Sequence, residues 1–293
     1  MKRSLSISRS IPPRNAVPRV AQEALAKATA SELIYSSLSF YARRRGGELS
    51  GAWIVDALAE LKVAPATTRK TLWRMEREGE LLSRRTGRAK RYRATPLAWA
   101  EIETGADKIL RPLERSWDGR WTVVAYAFEG SERVERERIR AVLNAEGFGS
   151  IGPGMFVHPR DRGGRIIAAA DEQGLGARLE AFRGRRLSSG TDAEFVRCVW
   201  NLREPARRYR RFRKRYGPLT GRARTLPPPV AFALRFAVVL DYLAAAWSDP
   251  ELPPRLLARD WPGPHARALA GALYRDLLPA ALEHGDAIRD RVA

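Results

Sequence analysis

The sequence predicts an α+β chain in three consecutive parts, and three observations carry that prediction. Helical periodicity gives way to two short alternating runs between residues 30 and 98; strands and helices alternate between 119 and 190; the last hundred residues are helical and punctuated by proline. A chain of 293 residues is long for one hydrophobic core and suits two or three domains of ordinary size. Its 44% apolar content is that of a soluble globular protein, so real cores are available.

The first 29 residues open MKRSLSISRSIPPRN, which is basic, lacks the apolar run of a secretory signal, and reads as a flexible arm. Ser31 is then placed to cap a helix carrying Leu33, Ile34, Leu38 and Tyr41, which Gly46-Gly47 ends. Ser50 can cap a second helix whose Trp53, Ile54, Ala57, Leu58 and Leu61 share one face, making Trp53 a core residue. Pro65 suits the first position of a third helix that runs to Glu78 and stops at Gly79. On it Thr68, Thr71, Leu72 and Met75 stack on one side, and Arg69, Lys70, Trp73, Arg74 and Arg77 on the other. Glu80 to Arg85 and Ala89 to Ala94 can pair across Thr86-Gly87-Arg88. Three helices and a hairpin in this order make residues 30–98 a winged helix-turn-helix, and a linker helix over 99–118 follows.

In the second part, Trp121 to Phe128 is a β-branched and aromatic strand and Ser131 to Glu146 a charged helix. A strand through Met155 to His158, a helix over Arg162 to Gln173 and a strand from Arg178 to Leu187 follow, with Gly152-Pro153-Gly154 turning between a short strand and the next. This β-α-β-α-β order over 119–190 fits a split βαβ ferredoxin-like sandwich. Residues 191–293 form a C-terminal helical domain.

Charge is what departs from the norm: 53 Lys and Arg against 33 Asp and Glu leave +20. A polyanionic partner is the first expectation, against an anionic membrane surface or a merely solvated arginine-rich surface. The hairpin favours the first, since Arg84, Arg85, Arg88, Lys90, Arg91 and Arg93 have no acid among them, as neutralising a DNA backbone requires. The candidate DNA contacts are Arg69, Lys70, Trp73 and Arg74 on the third helix and Arg84, Arg88, Lys90 and Arg91 on the hairpin. The single cysteine, Cys198, excludes an internal disulfide, and three histidines, His158, His265 and His284, assemble no zinc spacing. The longest apolar stretch, Val230 to Trp247, carries Arg235 and Asp241 near its middle and reads as a buried helix of a soluble, cytoplasmic protein with no membrane span.

The run GGELSGAWIVDALAELKVAPATTRKTLWRMEREGELLSRRTGRAKRYRATP resembles the N-terminal winged helix of the phenylacetate-degradation repressors of the PaaX type, in its double glycine, third helix, Arg-Glu-Gly stop and basic wing. Asp118-Gly119-Arg120-Trp121-Thr122-Val123-Val124, Gly147-Phe148-Gly149 and Gly152-Pro153-Gly154-Met155-Phe156-Val157 are similar to the family's central domain. Leu252-Pro253-Pro254, Asp260-Trp261-Pro262-Gly263 and Tyr274-Arg275-Asp276-Leu277-Leu278-Pro279 are similar to its C-terminal module. The resemblance implies a homodimer on a double-stranded operator, released by an aryl-CoA thioester such as phenylacetyl-CoA. A regulator of the same family answering another acyl-CoA, or none, is the alternative.

The resemblance also relates the central fold to small nucleases, whose chemistry needs an acidic metal ligand near the end of the first strand. That stretch reads Tyr126-Ala127-Phe128, with Glu129 alone nearby, and Asp118 shapes an Asp-Gly turn. With no nucleophile-base pair, phosphate-cradling loop or metal cluster, the sequence reads as a binding protein without a cofactor rather than an enzyme. The arginine-rich segment Arg203 to Arg215 offers Arg207 and Arg211 for the phosphates of an effector and Tyr209 and Phe212 for its apolar end. The same residues also suit a plain packing face with a solvated basic side, or, with aromatics interleaved among arginines, a direct nucleic-acid contact.

Overall fold

The structure is a computed structural model and describes residues 17–112, 116–128, 132–175 and 178–292. In chain order the elements begin with α1 (Arg19–Leu25), α2 (Ala30–Phe40), β1 (Leu49–Ser50), α3 (Gly51–Glu60), α4 (Pro65–Arg77), β2 (Leu81–Thr86), β3 (Ala89–Ala94) and α5 (Pro96–Leu110). There follow β4 (Trp121–Tyr126), α6 (Arg133–Ala145), β5 (Gly149–Gly152), β6 (Met155–His158), α7 (Gly163–Asp171) and β7 (Leu179–Gly184). Helices α8 (Asp192–Val199), α9 (Arg203–Tyr216), α10 (Pro228–Ala246), α11 (Gly263–Asp276) and α12 (Leu278–Val292) complete the chain. The class is α+β. The chain folds into two compact units, one of Met1–Leu110, Arg211–Leu243 and His265–Ala293, the other of Arg111–Arg210 and Ala244–Pro264.

This division cuts across the expected boundaries. Residues 191–293 are shared between the two units, and most of α10, α11 and α12 fall in the same unit as the N-terminal helices. Helix α5 is not a free linker: Ile102 and Ile109 are buried, and Tyr242 of α10 donates its hydroxyl to the Lys108 carbonyl at 3.1 Å. Within the expected arm, α1 buries Ala21, Ala24 and Leu25, while residues 1–16 lie outside the described ones. The first capping residue also differs. Thr29, not Ser31, caps α2 by accepting from the Glu32 N–H while the Glu32 carboxylate accepts from the Thr29 N–H, a reciprocal capping box.

The first unit is organised around aromatic rings. Tyr41 and Trp53 stack with centroids 4.5 Å apart and planes 7° from parallel. Phe40, Phe232 and Phe236 meet edge to face, and the Trp53 and His284 rings both lie against Phe232. Helix α12 closes this cluster: the Trp53 indole N–H donates to the Gly285 carbonyl at 2.8 Å and the Tyr41 hydroxyl to Asp286 at 2.7 Å. Glu60 of α3 receives both His284 and Arg291 from the same helix. A Cβ on Gly285 would stand 2.6 Å from a Tyr41 ring carbon, so only glycine lets α12 come this close.

Helix α10 is long and apolar enough to cross a membrane by length and composition, yet Val230, Phe232, Leu234, Phe236 and Val238 are buried in this unit. The charge the sequence marks in its middle is buried too. Arg235 lies 3.8 Å from the Tyr274 ring centroid and 4.9 Å from that of Phe40, and it donates to the Tyr274 carbonyl. Its Nε and Nη2 have no hydrogen-bond partner, and burial pushes its pKa down to about 10. The two ring faces are what offset the cost of that desolvation. Asp241, the other charge, is held by Arg215 at 2.6 Å and by the Tyr216 hydroxyl at 2.9 Å.

The second unit carries an antiparallel sheet of order β5-β6-β4-β7, with α6 between β4 and β5 and α7 between β6 and β7. Alternation along β4 sends Val124 to one face, where it packs with Ile139 and Leu143 of α6 and Ile166 of α7. Trp121 and Val123 point to the other face, against Val196 of α8, Trp200, Leu252 and Leu256. The sheet is therefore covered on both sides. Buried His158 ends β6; its Nδ1 accepts the Arg160 backbone N–H at 3.0 Å, and Nε2 stands 3.5 Å from the Pro250 carbonyl. Burial, followed by the Arg162 charge, pushes its pKa down to about 3.

Two predictions follow from these cores. Gly285→Ala forces overpacking against Tyr41 and should cost about 1–3 kcal/mol in urea unfolding; an unchanged midpoint would show that α12 yields freely. For His158, the unfolded chain takes up a proton near pH 6.5 and the folded chain only near 3, so stability falls as pH drops through that window. Between pH 7 and pH 5 the loss from this residue is about 2 kcal/mol. His158→Gln should narrow the difference in urea midpoint between the two pH values, and an equal drop in parent and variant would contradict the assignment.

Candidate nucleic-acid interface

Helix α4 begins with Pro65 at its first position and buries Thr68, Leu72 and Met75, the i, i+4, i+7 stripe its sequence dictates. The opposite face turns Arg69, Lys70 and Arg77 to solvent with Trp73, whose indole remains 57% exposed. The Arg77 guanidinium lies over that ring, 4.6 Å from its centroid. Arg74 stands apart from this group, donating to Glu78 and to the Ser31 hydroxyl, both at 2.6 Å.

Strands β2 and β3 form the hairpin, with Gly87 at φ +60 opening the two-residue turn. The short strand β1 joins as a third, pairing Leu49 with Tyr92 and Ser50 with Arg91. Register sorts the cations onto two faces. Arg85 lies opposite Lys90 on the side where Leu81 and Tyr92 are buried, while Arg84 lies opposite Arg91 on the other. Like charges so placed repel, and two acids from outside the hairpin relieve them. Glu48, beside β1, binds Arg84 through Nε at 2.8 Å and Nη2 at 2.7 Å, and Arg91 at 3.3 Å. Glu76 of α4 holds Lys90 at 2.6 Å and accepts from Ser83. Both carboxyls are held below the usual carboxylate range, Glu48 first by its Arg84 hydrogen bond and Glu76 first by Lys90. The hairpin alone has no acid, as its sequence states, but its surroundings supply two.

Of the eight residues expected to touch DNA, Arg69, Lys70 and Trp73 share the solvent face of α4, and Arg88 stands exposed at the hairpin tip. Arg74, Arg84, Lys90 and Arg91 are each engaged by an internal carboxylate. Among the described residues Arg69, Lys70, Arg77, Arg85, Arg88 and Arg93 have no such partner; Arg77 and Arg93 lie outside the expected contact set, and so does Arg85. Its place on the same hairpin face as Lys90 was readable from alternation.

The four residues expected to hold an effector do not converge. Tyr209 is buried in the second unit, donating to Asp249 at 3.0 Å and meeting Trp261 edge to face. Phe212 is buried in the first unit against Tyr216 and Tyr242. Arg207 turns to solvent and is held by Glu204 on its own helix at 2.9 Å, and Arg211 is exposed. The aromatic stripe of α9 is a packing face and its arginines the solvated side. Glu129 lies outside the described residues, and Asp118 binds Arg183 and the Arg120 N–H. Among the described residues no group of three His, Cys, Asp or Glu side chains could hold a metal ion.

The α+β fold and a cationic, partly aromatic surface define a protein built to meet a polyanion. Residues 114–196 match the model of the PaaX protein central Cas2-like domain and residues 200–287 that of the PaaX-like protein C-terminal domain, and the chain belongs to the PaaX family. It is 27% identical to the transcriptional repressor PaaX of Escherichia coli K12 over 259 residues, 86% of this chain and 80% of that repressor. An uncharacterized protein from Mycobacterium tuberculosis shares its fold, with a TM-score of 0.59 and 23% identity over 89% of this chain and 99% of that one. The family and its curated member are those of repressors and not of enzymes.

If Glu48 shields the outer hairpin face, Glu48→Gln should release the charges of Arg84 and Arg91. Affinity for random duplex DNA should rise several-fold at low salt, and the dependence of log K on log salt should steepen by about one. A salt slope equal to that of the parent would mean that these two arginines stay out of reach of the polyanion.

Proposed function

We propose that this chain is a DNA-binding transcriptional repressor of the cytoplasm, acting as a homodimer on an operator. On this reading residues 30–98 are its winged helix-turn-helix, α4 the helix that enters the major groove, and the β2–β3 hairpin the wing. The sheet of the second unit, whose order places the first strand between the third and the last, is a ferredoxin-like sandwich that carries signal or dimer contacts instead of chemistry. The observation that carries the proposal is the solvent face of α4, where Arg69, Lys70 and exposed Trp73 stand together without acidic partners among the described residues. Arginine and lysine on such a face suit the acceptor edges of guanine, and an indole suits a thymine methyl.

The effector is an aryl-CoA thioester such as phenylacetyl-CoA, the ligand that the family resemblance implies. It releases DNA by binding the DNA-incompetent state more tightly, and a hundredfold loss of operator affinity requires about 2.7 kcal/mol of such coupling. Phenylacetyl-CoA then acts, while free CoA and phenylacetate, each with half the determinants, do much less.

These roles separate in binding assays on an operator recovered by selection from genomic fragments. Arg69→Ala should cost about 1–3 kcal/mol on the operator and little on random duplex. Arg88→Ala should weaken both alike and flatten the salt slope. Equal losses on both DNAs for Arg69→Ala would remove α4 from base reading. Titrating the thioester, free CoA and phenylacetate against one protein-operator complex tests the effector, and no change with any of them would leave the DNA-binding reading alone standing.

A further inference from the structure

A cleft of about 580 Å³ opens in the second unit. It lies at the end of the sheet where β4 begins and β6 and β7 finish. Four arginines line it: Arg160 and Arg162 from the turn after β6, Arg165 from the first turn of α7, and Arg183 from β7. Two carboxylates, Asp118 and Asp161, share the lining, and Glu146 and Glu251 hold Arg162 and Arg165 from behind, so what the cleft offers an oxyanion is a set of guanidinium donors rather than a net charge.

The frame is rigid where it needs to be. Thr122, buried beneath, donates its hydroxyl to the Arg160 carbonyl at 2.8 Å and accepts from Arg183 Nη1 at 3.0 Å. Asp118 receives Arg183 Nη2 on both oxygens at 3.0 Å and the Arg120 N–H at 2.9 Å. Arg162 is anchored from behind by the Glu146 carbonyl and lies 3.7 Å from Glu251. By contrast the Arg165 side chain is 70% exposed and held through one nitrogen by Glu146 at 3.0 Å. Asp161 is 74% exposed and 3.9 Å from Arg183, a loose pair. Arg165 can turn toward an anion, and Asp161 away from it, with little cost.

A second feature points the same way. Helix α7 starts at this cleft, and no side chain caps it: Arg162 stands at the N-cap, and Gly163-Gly164 form the first residues. Open space lies where a Gly164 side chain would project. Uncapped N–H groups at a helix start, ringed by guanidinium groups, present donors and positive potential to phosphate oxygens. Trp117 adds an aromatic wall, its indole N–H fixed on the Arg120 carbonyl at 2.9 Å.

We propose that this cleft binds a phosphomonoester dianion carried on a nucleotide-sized body. Its source, resting on the effector reading above, is the 3′-phosphoadenosine end of a CoA thioester. That places the polyanionic end of the effector at this cleft and not on α9.

Calorimetry on the full chain tests it with adenosine 3′,5′-bisphosphate, inorganic phosphate, CoA and dephospho-CoA. The bisphosphate should bind, and CoA should bind about tenfold or more tighter than dephospho-CoA, which lacks the 3′-phosphate. Arg165→Ala should weaken CoA about tenfold with its melting temperature unchanged, and Asp161→Asn should tighten it several-fold. Arg207→Ala on α9 should leave the titration as it is. The proposal fails if CoA and dephospho-CoA bind equally, if neither cleft variant changes affinity, or if inorganic phosphate binds as tightly as the bisphosphate. Operator release separates it from the effector reading. A bisphosphate that binds through Arg165, with a thioester that leaves the operator occupied, keeps the cleft and removes the effector; release that is equal in the parent and Arg165→Ala does the reverse.

Discussion

The approach of α12 to the stacked Tyr41 and Trp53 rings is the contact on which the first unit depends. It brings a segment from the far end of the chain against α2 and α3, and it works because residue 285 has no side chain. The indole N–H of Trp53 would otherwise be a buried donor without an acceptor, a defect of about 1–3 kcal/mol. Asp286 and Glu60 then collect Tyr41, Arg45, His284 and Arg291 around the same junction. A three-helix segment with a hairpin has little interior of its own; here α10 and α12 supply Phe232, Phe236, His284 and Ile288 to complete it.

The electrostatics of the surface follow a similar division of labour. With a net charge of +20, not every cation of α4 and the hairpin is left unpaired. Glu48 and Glu76 hold the charges of Arg84, Arg91 and Lys90 within the fold, which pins the hairpin to β1 and to α4. Among the described residues Arg69, Lys70 and Arg77 on the outer face of α4, and Arg85, Arg88 and Arg93 on the hairpin, stand outside these pairs. Shape and charge are thereby assigned to different residues: the paired cations fix where the hairpin stands, and the others face solvent.

Much of this was legible in the sequence because it is local. The period of 3.6 over Thr68, Leu72 and Met75, Pro65 at a helix start, Gly79 at a helix end and the Gly87 turn are rules about near neighbours, and each element stands within a few residues of its expected place. What escaped was partnership at long range. Periodicity shows that α12 has an apolar face but not that α3 covers it, so the helical tail reads as its own domain. Alternation shows that Arg84 and Arg91 share a face but not that Glu48 lies across it. The capping error was of another kind: Thr29 and Ser31 are both good caps, and the Glu three residues after Thr29 was the signal that decides between them. For α9 the stripe stands as the spacing gives it, with Tyr209 and Phe212 buried on one face and Arg207 and Arg211 exposed on the other.

A unit assembled from both ends of its chain also matures late. During synthesis the helices that carry Arg69 and Trp73 leave the ribosome long before Gly285 does, and at about 5–20 residues per second the interval is on the order of ten to forty seconds. Until then the Tyr41–Trp53 stack lacks its cover, and the first unit is unfinished. Chains cut short before α12 would lack the same cover, leaving the Trp53 indole N–H without its acceptor.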